Sequence, residues 1–225
     1  MKPINPKHRN ALASIGILLG VFLAISSLLG ISACSLPGAR AQPIRYFVLE
    51  VPPLAAPSAV AAKDSGNAEK PILLLREAEA GGFGQNLHLI YSRTPGTQAQ
   101  YQYAFWNEAP PKRLHTLLRE RLIASGFYAG VVPLGAGVQG EYQMNFRLHE
   151  FFHDATQTPG RARVKLEVEL VRRSSARLIG QQVFVADVPL TGADAAGAAA
   201  GLGQASAQVL DAVIAWLTRV RPANT

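Results

Sequence analysis

Cysteine is almost absent from this sequence, since only one occurs in 225 residues. A single cysteine excludes an intramolecular disulfide and any metal site built from several cysteines. Charged residues are also scarce, at 16%, whereas 48% of the residues are hydrophobic. This composition excludes a mostly disordered chain and predicts one folded domain with a buried core.

The amino-terminal forty residues contain a long stretch without charge. Lys2, Lys7 and Arg9 precede it, and no acidic or basic side chain occurs over residues 10–39. Residues 11–29 within it are mostly apolar. A positive start, an apolar core and small residues are typical of a secretory signal. Because this core is longer than the usual ~7–15 residues, a retained transmembrane helix is the alternative.

The end of the apolar run favours a lipoprotein signal. Ile31, Ser32, Ala33 and Cys34 resemble the bacterial lipobox. In proteins with that pattern the cysteine sulfur receives a diacylglyceryl group, the signal is cut before the cysteine, and the new amino terminus is usually acylated. Each buried methylene contributes about 0.8 kcal/mol, so two or three acyl chains would hold the protein on a membrane. Ser35 follows in place of Asp, which by resemblance to the sorting rule of enteric-type bacteria favours the outer membrane.

These features divide the chain into three predicted segments. Residues 1–33 are the signal peptide, cleaved between Ala33 and Cys34, and residues 34–44 are a lipidated tether. Residues 45–225 are a single periplasmic domain with a flexible insertion at about 51–70. Cleavage removes three of the 22 basic residues and leaves 19 against 15 acidic ones, an ordinary net charge. We therefore expect no nucleic-acid partner.

The periodicity of the mature chain predicts an α/β fold, with a mixed, mostly antiparallel sheet packed by about two helices. Predicted strands occupy 45–49, 72–75, 142–148, 164–170 and 183–188, and a hairpin covers 87–105. Helical spacing predicts a first helix that opens at Pro110 and Pro111, with Asn107 as its cap, and ends at Gly126. A second helix is predicted over 194–219.

The first helix carries four basic residues beside its leucines. Lys112, Arg113, Arg119 and Arg121 are expected to form a solvated face, which is the common situation for such a stripe.

The segment from His149 to His153 spells HExxH, with Glu150 as its acid. On a helix this spacing places two histidines beside one zinc ion. Here the preceding residues alternate with period two, which predicts a strand, where residues four apart stand roughly 13 Å apart. That separation is too large for one ion at about 2 Å from each nitrogen. We predict no metal and no cofactor, and a zinc hydrolase is a remote alternative.

Residues 135–140 spell GxGxxG, but a dinucleotide site needs a strand before this motif and a helix after it. The motif leads into a predicted strand, so we interpret it as a turn. His88 and His115 are isolated, and no G-x-S-x-G elbow occurs. Because no nucleophile, base and oxyanion donor come together, the sequence predicts a protein that is not an enzyme.

The mature chain resembles the ABC-type transport auxiliary lipoproteins. The similar segments are 46–49, 72–75, 87–91, 103–106, 125–127, 142–151 and 163–170, together with the Ala-rich terminal helix that ends on Ala215-Trp216-Leu217. Members of this family serve MCE-type and Pqi-type intermembrane lipid-transport systems. The resemblance implies a fold akin to the amino-terminal domain of TolB, no catalytic residues, and binding to an MCE-domain protein and ABC transporter components.

Two hypotheses on function follow. The first is an outer-membrane lipoprotein, a candidate homo-oligomer, that assists ABC/MCE-type phospholipid transport. The second is an envelope assembly or scaffold lipoprotein that takes no part in lipid traffic. Phe127, Phe151 and Phe152 are candidate docking aromatics, although ordinary core positions are the favoured interpretation.

Overall fold

The computed structural model describes residues 42–52, 70–76 and 86–221. Contacts divide the chain into Met1–Pro43 and Ile44–Thr225, and the fold below is that of the second unit. The predicted signal peptide, the lipobox with Cys34 and most of the insertion at 51–70 lie outside the described residues.

Eight strands and two helices make up the described fold. The strands are β1 (Arg45–Phe47), β2 (Ile72–Arg76), β3 (His88–Ser92), β4 (Ala99–Trp106), β5 (Gly130–Pro133), β6 (Tyr142–Asp154), β7 (Arg161–Arg172) and β8 (Arg177–Pro189). The helices are α1 (Pro110–Ala124) and α2 (Ala195–Val220). The predicted mixed α/β fold with two helices is therefore confirmed.

The long strand β6 organises the sheet. On one side it pairs antiparallel with β7, which pairs antiparallel with β8. On its other side β6 pairs with two strands, since its first half runs parallel to β2 and its end runs parallel to β3. Beyond β2 lies β5, and beyond β3 lie β4 and then β1. Among the described residues, β1, β5 and β8 are thus the edges of the sheet.

Period-two alternation along the meander β6–β7–β8 builds the core. One face of β7 buries Ala162, Val164, Leu166, Val168 and Leu170 against the helices, while Lys165, Glu167 and Glu169 point to the other face. Burying a side chain such as Leu166 contributes about 1.5–3 kcal/mol. The core therefore lies between one face of the sheet and the two helices.

The start of α1 differs from the sequence prediction. Asn107 does not cap the helix; the N-cap position is Ala109, which makes no side-chain hydrogen bond. Two prolines in the first turn, Pro110 and Pro111, have no N–H group, so fewer donors there need a cap. The end agrees with the prediction, because Gly126 adopts a φ of +66° just after the last helical turn.

The longer helix α2 begins where the sequence predicts. Asp194 caps it by accepting a hydrogen bond from the N–H of Gly197 at 2.9 Å. Glycine allows a close approach in the third turn of α2, since a Cβ at Gly203 would overlap the carbonyl oxygen of Glu50. No helix within residues 42–52, 70–76 and 86–221 is long and apolar enough to cross a membrane.

Candidate functional site

The predicted lipidation site, Cys34 with Ile31, Ser32 and Ala33, lies outside the described residues. The domain unit begins at Ile44, and we call residues 44–52 the anchor-proximal segment.

The anchor-proximal segment is fixed first to the sheet. Its strand β1 runs parallel to β4, with Phe47 beside Trp106. The carbonyl oxygen of Phe47 accepts a hydrogen bond from the N–H of Asn107 at 2.9 Å. Leu49, which follows, is 2% exposed and belongs to the core. An apolar side chain buried to this degree keeps the segment on the domain.

The same segment is fixed to both helices by arginines of α1. Arg113 Nε donates to the carbonyl oxygen of Leu49 at 3.3 Å. A terminal nitrogen of Arg121 donates to the carbonyl oxygen of Pro52 at 2.7 Å, and its Nε donates to Oδ1 of Asp211 on α2 at 2.8 Å. Arg121 therefore joins three separate parts of the chain, and hydrogen bonds to a charged group are the stronger ones.

The buried position of Arg121 corrects the prediction of a solvated basic face. Its side chain is 5% exposed, and Arg113 and Arg119 are half-buried; only Lys112, at 68%, lies in solvent and pairs with Glu108. The sequence did contain a signal for this. Arg121 follows Leu114 by seven residues, so helical periodicity places it on the apolar side of α1.

The HExxH motif lies on β6, as predicted, and its histidines point to opposite faces of the sheet. A bulge occurs between Leu148 and Glu150. His149 is exposed and contacts Glu167 on the polar face, whereas His153 is 2% exposed and hydrogen-bonds to Tyr101, which packs on the core. Two imidazoles on opposite faces cannot bind one zinc ion.

His153 is held by two hydrogen bonds. The hydroxyl of Tyr101 lies 2.8 Å from Nδ1, and the carbonyl oxygen of Pro159 lies 3.0 Å from Nε2. Since a carbonyl only accepts, Nε2 carries the proton and Tyr101 donates to Nδ1. Burial is the main cause that lowers the pKa of His153, and burial also raises the pKa of Tyr101 to about 12. The pair is therefore neutral at pH 7.

His149 belongs to an exposed polar network. Its Nε2 lies 2.8 Å from Oε2 of Glu167, whose other oxygen accepts a hydrogen bond from Gln181. These two bonds, that of His149 first, lower the pKa of the Glu167 carboxyl. The network joins β6, β7 and β8 across the polar face of the sheet.

The GxGxxG stretch and the two isolated histidines, His88 and His115, lie in a turn and in aromatic contacts. The GxGxxG stretch forms a turn ahead of β6, with Gly135 and Gly137 at positive φ. The ring of His88 lies 4.1 Å from that of Phe105, and the ring of His115 lies 5.9 Å from that of Phe146. The part of the chain that the structure describes contains no group of three His, Cys, Asp or Glu residues placed to hold a metal ion.

The three candidate docking aromatics are not an exposed patch. Phe127 is 8% exposed and belongs to the core. The ring of Phe151 packs 5.7 Å from that of Trp106, and Phe152 is half-buried beneath the guanidinium group of Arg163. The interpretation as core positions is therefore confirmed for Phe127, and the exposed docking patch is wrong.

Comparison with known proteins gives one family and several similar folds. The family described as ABC-type transport auxiliary lipoprotein component matches residues 47–214. No curated protein matches the chain. A crystal structure of a Xanthomonas campestris protein of family DUF330 is 22% identical, with a TM-score of 0.64, and the match covers 77% of this chain and 94% of that one. A second, uncharacterised protein is 13% identical, with a TM-score of 0.59 and coverage of 78% and 99%. Identities this low show a shared fold only.

Proposed function

Because the chain belongs to the ABC-type transport auxiliary lipoprotein family, we propose that it is a lipid-anchored, non-catalytic component of an ABC transport system. The family match over residues 47–214 carries this proposal. It covers α1, most of α2 and every strand but β1, so the matched unit is nearly the whole domain. In this proposal the protein acts by binding, and a folded domain whose anchor-proximal segment is fixed to it suits that task.

The proposed anchor is Cys34, with cleavage after Ala33. Acyl chains on this cysteine would place the domain in the periplasm, attached to the outer membrane. The way residues 44–52 are held supports a role for the anchor. Hydrogen bonds from Arg113 and Arg121 connect the segment to α1, and through Asp211 to α2. The tether would therefore be attached to a segment that is fixed to the folded domain.

The proposed partners are an MCE-domain protein and the ABC transporter that energises phospholipid movement between membranes. Homo-oligomerisation is a further prediction. The alternative is a scaffold lipoprotein that takes no part in lipid traffic. These two functions differ in the proteins that the chain contacts, so a binding experiment separates them.

The test is affinity purification of the carboxyl-terminally tagged full chain from envelopes solubilised in mild detergent, with quantitative mass spectrometry. The matched control is an unrelated outer-membrane lipoprotein that carries the same tag. We expect enrichment of ABC permease, ATPase and MCE-domain proteins over the control. Recovery of only β-barrel or peptidoglycan-associated proteins would contradict the proposal and favour the scaffold.

A further inference from the structure

The anchor-proximal segment carries apolar side chains on both of its sides. Alternate residues from Phe47 to Val51 pack against the core. The residues between and before them point away from it, and Ile44, Tyr46 and Val48 are 57%, 67% and 51% exposed. Apolar residues on both faces are typical of a strand that is covered on both faces. The described residues cover only one face of this segment.

The exposed side continues onto the neighbouring strand. The ring of Tyr46 lies 5.7 Å from that of Phe105 on β4. Tyr103, two residues before Phe105 on β4, is also exposed, at 37%. We call the four exposed residues Ile44, Tyr46, Val48 and Tyr103 the β1 patch.

This composition differs from the same face elsewhere in the sheet. The outward positions of β7 are charged, namely Arg161, Arg163, Lys165, Glu167 and Glu169. On β8, the exposed Val183 and Val185 alternate with core residues, and their neighbours across the register are Glu167 and Lys165. A solvated sheet face is typically polar, so we expect another surface to cover the apolar β1 patch.

We propose that the β1 patch rests on the phospholipid surface into which the acyl chains of Cys34 insert; this inference depends on the proposed lipid anchor. Nine residues separate Cys34 from Ile44. Even a fully extended chain keeps Ile44 within about 35 Å of the cysteine, since each residue spans at most ~3.3–3.6 Å. The patch begins at the first residue of the domain unit, which is the point where the tether joins the domain.

The chemistry of the patch fits a bilayer interface. Tyrosine is enriched at the level of the lipid headgroups, where its ring contacts hydrocarbon and its hydroxyl stays in water. Tyr46 and Tyr103 supply two such rings, and Ile44 and Val48 supply aliphatic surface.

The opposite edge of the sheet provides a matched control. From β1 the order runs through β4, β3, β6 and β7 to β8. Five inter-strand spacings of about 4.8 Å place β8 roughly 24 Å from β1 along the sheet. Val183 on β8 is 45% exposed, close to Tyr103 at 37%, but it would face water.

The experiment uses the full chain, processed and lipidated in cells, and reconstituted into phosphatidylethanolamine–phosphatidylglycerol vesicles. Three variants, Tyr46→Cys, Tyr103→Cys and Val183→Cys, each carry an environment-sensitive fluorophore on the new thiol. Nitroxide-labelled lipids in the bilayer, and iodide in the water, serve as quenchers. The parent chain is the blank, because its only cysteine is Cys34 and a lipidated sulfur takes no fluorophore.

We expect the nitroxide lipids to quench the probes at 46 and 103 several-fold more strongly than the probe at 183, and iodide to do the reverse. Equal, weak quenching by lipid at all three positions would overturn the proposal while leaving the anchor intact. Probes at 46 and 103 that neither quencher reaches would show that protein covers the patch, which also overturns it. A parent chain that takes the fluorophore would show a free Cys34, and would overturn the anchor itself.

Discussion

The contact between Arg121 and Asp211 supports an asymmetric prediction about stability. The guanidinium side chain is 5% exposed and the carboxylate is 43% exposed, so the two ends of the pair differ in their access to water. Asp211→Ala leaves a buried cation without its charged partner. Arg121→Met instead removes the buried cation, keeps most of the packing of its stem, and leaves a carboxylate that water can reach.

The structure sets the order of magnitude of each effect. Breaking a fully buried pair costs about 3–5 kcal/mol, and exposure of Asp211 brings the cost of Asp211→Ala down to about 2 kcal/mol. The carbonyl oxygen of Pro52, which Arg121 also binds, belongs to an exposed residue, so Arg121→Met costs only about 1 kcal/mol. In a domain of this size, 1 kcal/mol lowers the melting midpoint by about 2–4 °C. Lys112→Met, which breaks an exposed pair on the same helix, should cost under about 0.5 kcal/mol.

Urea unfolding followed by tryptophan fluorescence measures all three variants, because Trp106 and Trp216 are 1% and 3% exposed and report loss of the core. We expect the free energy of unfolding to fall most in Asp211→Ala, less in Arg121→Met and least in Lys112→Met. An Arg121→Met variant that loses as much stability as Asp211→Ala would refute the reasoning from unequal exposure. So would an Asp211→Ala variant no weaker than Lys112→Met.

Three further predictions concern other parts of the chain. Burial lowers the pKa of His153, so the unfolded chain binds a proton at this histidine more readily than the folded chain does, and the free energy of unfolding should fall as the pH drops below about 6.5, by up to ~1.4 kcal/mol per pH unit. Urea unfolding at pH 7.5 and pH 5 should show a smaller change in His153→Gln than in the parent, and an equal change in both would contradict this. Gly203→Ala should destabilise the fold by about 1–3 kcal/mol because its Cβ meets the Glu50 carbonyl, whereas Gly130→Ala, with open space around it, should cost less in the same assay. Cys34→Ser should release or misprocess the protein in membrane fractionation, and a variant that sediments with the outer membrane like the parent would disprove the anchor.

Strands β6 and β7 were largely predictable because they are long and strictly alternating, whereas the four-residue β5 was not predicted. Residues 142–148 and 164–170 show period two without interruption, and this period also placed the HExxH motif on a strand rather than a helix. Strand β8 was underestimated as 183–188, because Leu178 to Gln182 carries no alternating apolar pattern on this exposed edge. The parallel pairings of β6 with β2 and β3 join segments distant in sequence, and no local pattern specifies them.

Side-chain contacts between segments distant in the chain could not be predicted from the sequence. Arg121 is basic and adjacent to other basic residues, so composition favours a solvated face, and its partner Asp211 lies 90 residues away. The Tyr101–His153 bond likewise joins β4 to the end of β6. For the lipidation site the situation is reversed: the lipobox at 31–34 is a local pattern, and the sequence alone carries the prediction.

The mass of the mature protein, measured on material purified from the cell envelope, tests the central claim most directly. The account predicts a chain that begins at Cys34 and carries a diacylglyceryl group on its sulfur, usually with a further acyl chain on its amino nitrogen. An unmodified chain that still begins at Met1 would contradict it.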